Sequence, residues 1–146
     1  LLREQRILSH LMALLRNTFK GITLIEILEP QQYTTYTICR LSYRLLKQVI
    51  KGNSENQQWL SSVDEIQFME EQISFPDAIA TLMELFKDNR TLLDRTTIEQ
   101  ISFFVLLLKE QGKDSNFIQF LSILCVCKGS ALAKNQLLVC EKLVRL

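Results

Sequence analysis

The sequence predicts an all-α protein, an armadillo-like α-solenoid of stacked helix pairs with about seven or eight helices. Apolar residues recur at helical spacing in nearly every segment, and only 4 Gly and 2 Pro are present, too few for an all-β fold with many tight turns. An apolar helix followed by an asparagine that opens the next helix occurs three times, at Asn56, Asn89 and Asn135. These asparagines are 33 and 46 residues apart, close to the repeat length of about 40 residues in armadillo-type arrays. Such helix pairs bury their apolar faces only by stacking on neighbours.

The first third of the chain contains two predicted helices separated by an irregular segment. Residues 2–16 carry apolar side chains at the i, i+3, i+4, i+7 spacing of one helix face. Residues 18–34 lack this spacing and are predicted to be a loop insertion. Residues 36–50 are again strongly helical, and Gly52 is the expected end of that helix because glycine readily takes the left-handed conformation that follows a helix.

The rest of the chain contains a further series of predicted helices. Residues 56–73 form one helix or two short ones, and Pro76 is expected in the first turn of a helix over residues 77–87. Thr96 and Glu99 match the capping-box pattern at the start of the most apolar helix. The last two helices are predicted over residues 116–127 and 134–146.

The predicted core of the C-terminal part is formed by side chains on the apolar faces of its last helix pairs. They are Phe103, Phe104, Leu107, Leu121, Leu124 and Leu138. At 146 residues the chain is long enough for one domain that buries roughly two thirds of its unfolded surface. We therefore predict a single helical domain over residues 1–146.

Charge and hydropathy exclude several classes of partner. The chain has 17 basic and 16 acidic side chains and a net charge of +1, so no whole-domain field would draw it to nucleic acid or to an anionic membrane. Its longest apolar stretch, around residues 101–108, is much shorter than the about twenty residues of a membrane-spanning helix. We predict no nucleic-acid partner and no membrane contact by this part of the chain. The start lacks Met and a signal peptide, and both ends lie within helical patterns, which predicts a fragment of a much longer chain.

The residue types present give little support to catalysis. His10 is the only histidine, so no Ser-His-Asp or Cys-His set can be built without it, and no Gly-rich phosphate loop is present. The cysteines Cys39, Cys125, Cys127 and Cys140 lack the compact paired spacing of structural zinc sites. We predict no enzyme, no catalytic residue, no metal ligand and no cofactor.

The same cysteines are predicted to be buried apolar thiols in a reducing compartment. Residues 116–127 are expected to be one helix, in which Cys125 and Cys127 would point about 200° apart. The two side chains therefore cannot form an ordinary disulfide with each other.

A row of cations on one predicted helix has two interpretations. Arg40, Arg44 and Lys47 follow an i, i+4, i+7 spacing and therefore share one face. Three cations on one face can bind phosphate. The favoured interpretation is that they are solvated or paired with acids of a neighbouring repeat.

Four segments, taken in order along the chain, together resemble one known family. They are LLREQRIL at the start, CRLSYRLL at residues 39–46, LFKDNRTLL at residues 85–93 and FLSILCVCKGSALAKNQ at residues 120–136. The series resembles the armadillo-like helical RIH domain shared by inositol trisphosphate receptors and ryanodine receptors. The resemblance implies a tetrameric calcium-release channel of the endoplasmic or sarcoplasmic reticulum membrane, with this domain in its cytosolic part. It also implies that this domain contacts a β-trefoil and other helical domains of the same subunit.

The resemblance further implies a ligand-binding role for Arg3. In inositol trisphosphate receptors the helical domain forms one wall of the ligand cleft, and the Arg of the LREQ-like motif, Arg3 here, ends one row of ligand-contacting cations. A Tyr-Arg-Lys run before the first Asn-Gln pair forms the second group, and here Asn53, Ser54 and Glu55 replace it. A hydroxyl and a carboxylate in place of cations weaken phosphate binding. The resemblance therefore leaves two alternatives: a divergent receptor that binds inositol trisphosphate with reduced affinity, or a ryanodine-like channel that does not use this ligand.

Two functions from different classes follow. The first is a cytosolic helical module of a calcium-release channel that supports ligand sensing and transmits gating between domains. The alternative is a stand-alone armadillo-like adaptor that binds a protein or peptide partner.

Overall fold

Helices account for most of the chain in the computed structural model, which describes residues 2–112 and 115–145. The described residues form nine α-helices, eight of them with seven or more residues, and 78% of these residues are helical. The all-α, armadillo-like fold is therefore confirmed. The chain divides into two compact units, Leu1–Leu85 and Phe86–Leu146.

The first unit is built almost entirely from helices. Helix α1 packs along α2, and α3 packs against both. The irregular segment between α1 and α2 contains two short 3-10 helices, Glu26–Leu28 and Pro30–Gln32. The α-helices are α1 (Leu2–Phe19), α2 (Tyr33–Ile50), α3 (Ser54–Leu60), α4 (Val63–Glu71) and α5 (Pro76–Phe86).

In the second unit, the described residues form four helices and one small hairpin. Helix α7 packs against both α8 and α9. Its elements are α6 (Arg90–Asp94), α7 (Ile98–Gln111), α8 (Ser115–Cys125), β1 (Val126–Cys127), β2 (Ser130–Ala131) and α9 (Ala133–Val144). The strands pair antiparallel, Val126 with Ala131 and Cys127 with Ser130.

The hairpin turn has positive φ at both central residues, Lys128 (48°) and Gly129 (78°), as a two-residue type I′ turn requires. The backbone amide of Lys128 donates to Asp88 Oδ1 at 2.6 Å, so a side chain far away in sequence holds this turn. The predicted helix over residues 116–127 is therefore wrong at its end. Helix α8 ends at Cys125, and Cys127 lies in the hairpin because the chain turns back there and the Leu132 amide bonds to the Cys125 carbonyl oxygen.

Two helix ends follow the local chemistry of the sequence. Gly52 has a φ of 63° just after α2, and Pro76 is the first residue of α5. Residues 56–73 hold two short helices, α3 and α4. Helix α3 begins earlier than predicted, because the Asn53 side chain accepts from the Asn56 amide and caps it.

The predicted capping box is shifted by one residue. Thr97, not Thr96, is the N-cap of α7, and its side chain accepts from the Gln100 amide while the Gln100 side chain accepts from the Thr97 amide. Thr96 is buried, and its hydroxyl donates to the Leu92 carbonyl oxygen of the preceding helix. A side chain committed to the preceding helix cannot cap the next one, so the pair Thr96 and Glu99 is wrong.

Aromatic rings form the centre of each core. In the first unit, Phe75 contacts the rings of Phe19, Tyr36 and Tyr43 at centroid distances of 6.2, 5.3 and 5.9 Å. In the second unit, the Phe104 ring stacks on Phe120 at 3.9 Å. Of the six predicted core residues, Phe104, Leu107, Leu121 and Leu124 are buried, whereas Phe103 and Leu138 are only half-buried.

Asn56 and Asn135 make the same kind of hydrogen bond, each within its own unit. The Asn56 side-chain amide donates to the Val49 carbonyl oxygen at the end of α2, at 2.9 Å. The Asn135 amide likewise donates to Leu124 O at the end of α8, at 2.7 Å, and to Leu93 O at 3.0 Å. Both side chains are fully or almost fully buried. Asn89 caps α6 by accepting from the Leu92 amide, as the weaker third copy predicted.

Candidate functional site

The candidate ligand surface lies where the first turns of α1 and α3 meet. Arg3 is in the first turn of α1 and is exposed. Asn53 is the N-cap of α3, and Ser54 and Glu55 are its first two residues, both exposed. The two groups that the sequence singled out are therefore both at helix starts in the same unit.

A single buried side chain joins these two helix starts. The Asn56 side-chain amide donates to Glu4 Oε2 at 3.1 Å as well as to the end of α2. Because Glu4 directly follows Arg3 and Asn56 directly follows Glu55, this contact joins the two helix starts that carry the predicted groups. We call it the Asn56 bridge.

The charges at this surface are mixed. The Arg3 guanidinium forms no salt bridge with residues 2–112 or 115–145. Glu55 places a carboxylate in the first turn of α3, where the helix dipole favours a negative charge. The Asn53 side-chain oxygen is used for the helix cap. The surface therefore offers an anion one strong cation from α1 and an opposing carboxylate from α3.

The cationic row on α2 is paired with an acid. Arg40 Nε lies 3.5 Å from Asp77 Oδ2, and Arg44 Nε lies 3.3 Å from Asp77 Oδ1. The favoured interpretation was that the cations are solvated or paired with acids of a neighbouring repeat, and these two arginines are paired with an acid, Asp77 of α5. Lys47 is half-buried and borders the same shallow cavity as Asp77 and Thr81. Sequence reasoning missed Asp77 because it is 33 residues from Arg44.

A second polar contact that the sequence did not indicate is made by Arg16. Its guanidinium donates to Glu65 Oε2 at 2.7 Å and to the Asp64 carbonyl oxygen at 3.2 Å, and it lies 4.6 Å from the centre of the Phe68 ring. These contacts satisfy the guanidinium and fasten α1 to α4. The available signal was the composition of residues 55–86, which contain seven carboxylates and no Lys or Arg.

The histidine and the four cysteines differ in their exposure and in their partners. His10 is exposed and its ring contacts the Arg6 carbonyl oxygen. All four cysteines lie in described segments and are free thiols. Burial raises the pKa of the Cys39 thiol to about 11 and also raises that of Cys125, so both stay protonated at neutral pH. Of the predicted buried thiols, Cys39 and Cys127 are buried, Cys125 is half-buried and Cys140 is exposed.

The described residues contain neither a metal-binding cluster nor a membrane-spanning helix. No group of three or more His, Cys, Asp or Glu side chains in them is placed to hold a metal ion. Among the helices of residues 2–112 and 115–145, none is both long enough and apolar enough to span a bilayer.

The fold and the polar surface together define an all-α, armadillo-like protein whose candidate ligand contacts lie at helix starts. Comparison with known proteins gives the family. The RIH domain model matches residues 1–145, so the chain belongs to the RIH domain family.

Two relatives support this assignment. The chain is 31% identical over 106 residues, 70% of its length, to the inositol 1,4,5-trisphosphate receptor-like protein A of Dictyostelium discoideum. It is 29% identical over 158 aligned positions, 99% of its length, to the inositol 1,4,5-trisphosphate receptor itr-1 of Caenorhabditis elegans. The chain spans only 3% and 5% of the lengths of these relatives.

Proposed function

We propose that residues 1–146 are one helical domain of a much longer subunit of an intracellular calcium-release channel. The observation that carries this proposal is the RIH domain match over residues 1–145, together with two relatives named as inositol 1,4,5-trisphosphate receptors or receptor-like proteins. The channel would be a tetramer in the endoplasmic or sarcoplasmic reticulum membrane, with this domain on the cytosolic side. Its partners would be a β-trefoil and further helical domains of the same subunit.

The proposed role of the domain is to support ligand sensing and to pass small rigid-body motions to its neighbours. The Asn56 bridge supports this role because the buried Asn56 side chain ties α1, α2 and α3 together through two hydrogen bonds. A ligand that binds and displaces the start of α1 would therefore move α3 and the end of α2 with it.

Arg3 is the proposed ligand-contacting residue. Its exposed guanidinium is suited to a phosphate group, with which it can form charge-assisted hydrogen bonds. Ser54 and Glu55 supply no cation from the opposite helix start. We therefore propose that inositol trisphosphate binds the parent subunit weakly, through Arg3 and cations outside residues 1–146.

Replacing Arg3 by glutamine is the direct test of this contact. In a longer chain that includes the preceding residues and any β-trefoil, Arg3→Gln should remove charged hydrogen bonds worth roughly 1.5–3 kcal/mol of binding free energy. Isothermal titration with inositol trisphosphate measures the change. Arg95→Gln, at an exposed position of the second unit, is the matched control and should leave the affinity unchanged. An unchanged affinity for Arg3→Gln would leave the domain with a structural role only.

The start of α3 carries no Lys or Arg, and this gives a second prediction. The 146-residue chain alone should show no appreciable titration heat with inositol trisphosphate, because half of the expected cleft is absent from it and Glu55 opposes the phosphates. In the longer chain, Ser54→Arg combined with Glu55→Lys should strengthen binding, because two cations replace a hydroxyl and a carboxylate. Both changes leave the Asn53 cap of α3 in place. Micromolar binding by the 146-residue chain, or no gain in the double variant, would contradict this explanation.

The size of the native gene product separates the channel from a stand-alone adaptor. A channel subunit should have several thousand residues and apolar spans near its C-terminus. A mature product little longer than this chain would favour the adaptor.

A further inference from the structure

One face of α1 packs on its unit through apolar side chains and ends in a carboxylate. Leu8, Met12 and Leu15 of this face are 0%, 2% and 0% exposed. Glu4 comes four residues before Leu8, so it lies on the same face, one turn closer to the start of the helix. Glu4 is therefore the polar end of a face that otherwise contacts the core.

The Glu4 carboxylate is held by a side chain that is itself fixed. Asn56 is 0% exposed, and its side-chain amide donates to Glu4 Oε2 at 3.1 Å and to Val49 O at 2.9 Å. The Asn56 backbone amide donates to the capping side chain of Asn53 at 3.0 Å. A buried donor with these partners has little freedom to move, so it can hold the Glu4 side chain and, with it, the start of α1.

Arg3 leaves α1 in a direction that is tied to that of Glu4. Neighbouring residues of an α-helix point about 100° apart, so holding Glu4 against α3 sets the side of the helix from which Arg3 projects. Arg3 shares that side with Ile7, four residues later and 44% exposed. Leu8, the first buried side chain of α1, is five residues beyond Arg3, whereas Glu4 is adjacent to it. The hydrogen bond to Glu4 is therefore well placed to control the direction of Arg3.

We propose that Glu4 and Asn56 are positioning residues for the contact between Arg3 and the anionic ligand. The proposal rests on the proposed function, since it takes Arg3 to bind a phosphate group. The hydrogen bond holds the first turn of α1 so that the Arg3 guanidinium is presented before the ligand arrives, which lowers the entropy lost on binding. It also keeps the Glu4 carboxylate on Asn56, so that this negative charge does not turn toward the phosphates.

Two substitutions at Glu4 separate position from charge. Glu4→Gln and Glu4→Ala both remove the carboxylate, so they change the charge near the phosphates equally. Only the glutamine keeps a side-chain oxygen that can accept from Asn56. Glu4 is exposed, so neither substitution empties a core position, whereas a change at Asn56 would also remove the bond to Val49 O.

Isothermal titration with inositol trisphosphate, in the same longer chain, measures the effect. Glu4→Ala should bind more weakly than Glu4→Gln by about three- to tenfold, as the loss of one hydrogen bond predicts. The difference should disappear when each substitution is combined with Arg3→Gln, because the pair acts only through Arg3. Glu110→Ala removes an exposed carboxylate of the second unit and should leave the affinity unchanged. Circular dichroism checks that each variant remains folded.

Three outcomes would overturn the positioning role, and they separate it from the ligand contact. Equal affinities of Glu4→Ala and Glu4→Gln, where Arg3→Gln does lower the affinity, would reject the positioning role and keep the Arg3 contact. A difference that persists in the Arg3→Gln background would reject it because the pair would then act without Arg3. Full affinity of Arg3→Gln would remove the proposed ligand contact itself, and the positioning role with it.

Discussion

Replacing Phe104 by alanine is expected to lower the free energy of unfolding by about 3–5 kcal/mol. The Phe104 side chain is 2% exposed, its ring stacks on Phe120 at 3.9 Å, and it meets Phe103 edge-on at 5.2 Å. The substitution removes this stacked pair and leaves a cavity between α7 and α8 that the surrounding side chains fill only in part. Chemical denaturation followed by circular dichroism measures the loss.

Leu106→Ala is the control for this prediction, because it removes an apolar side chain from the same helix at a position that is 49% exposed. It should cost less than about 1 kcal/mol, as surface substitutions generally do. A comparable cost for the two variants would show that Phe104 does not occupy the core of its unit.

Replacing Asn135 by alanine is expected to cost roughly 2–4 kcal/mol, the second-largest effect. The Asn135 amide is the buried link between two carbonyl oxygens, Leu93 O at 3.0 Å and Leu124 O at 2.7 Å. Removing the donor leaves the buried Leu124 carbonyl oxygen without this partner, whereas the Leu93 carbonyl oxygen still accepts from the Thr96 amide. An unsatisfied buried polar group loses its full hydration energy. The same denaturation experiment measures the change in unfolding free energy.

Two further variants show whether the Asn135 amide itself is responsible. Gln136→Ala removes a neighbouring side-chain amide that donates a hydrogen bond to the Cys125 carbonyl oxygen at 3.4 Å. It should lower the free energy of unfolding by less than about 1 kcal/mol. Asn135→Asp keeps the shape but points an acceptor at two carbonyl oxygens. Burial and these oxygens would raise the pKa of the new carboxyl group above its unfolded value, so the variant should become more stable as the pH falls through that pKa. Equal stability of Asn135→Asp and the unchanged chain at neutral pH would contradict the assigned role.

Features that depend on neighbouring residues could be predicted from the sequence. The end of α2 before Gly52 and the start of α5 at Pro76 follow from conformational preferences of these two residues alone. The all-α class follows from periodicity that extends over many turns, and so it tolerates local errors. The observed helix ends differ from the predicted ones by a few residues, because periodicity fixes the body of a helix more firmly than its ends.

Features decided by distant residues could not be predicted. Thr96 and Thr97 are both suitable N-caps, and each is followed three residues later by a Glu or Gln, so only the burial of Thr96 against α6 decides between them. Cys127 follows an apolar helix without a break in composition. Its place in a hairpin depends on Asp88, which lies far earlier in the chain.

The candidate site also combines features that the sequence could predict with features that it could not. The resemblance that singled out Arg3 and the change at Asn53, Ser54 and Glu55 came from linear motifs. That these positions adjoin depends on Asn56, whose recurrence was visible in the sequence but whose bonding partners were not. One of those partners, Glu4, is 52 residues away from Asn56.

The contact between Asp88 and the turn at Lys128 has a consequence for folding and for amide exchange. A two-residue ladder is too short to persist by itself, and Lys128 holds a left-handed conformation that costs a non-glycine residue roughly 1–2 kcal/mol. We therefore expect this hairpin to form only after a loop of 40 residues has closed, late in the folding of its unit. The Lys128 amide lies in an exposed turn, yet its proton is shielded while the Asp88 carboxylate is in place. Its hydrogen-exchange rate should therefore report the cooperative opening of the whole second unit.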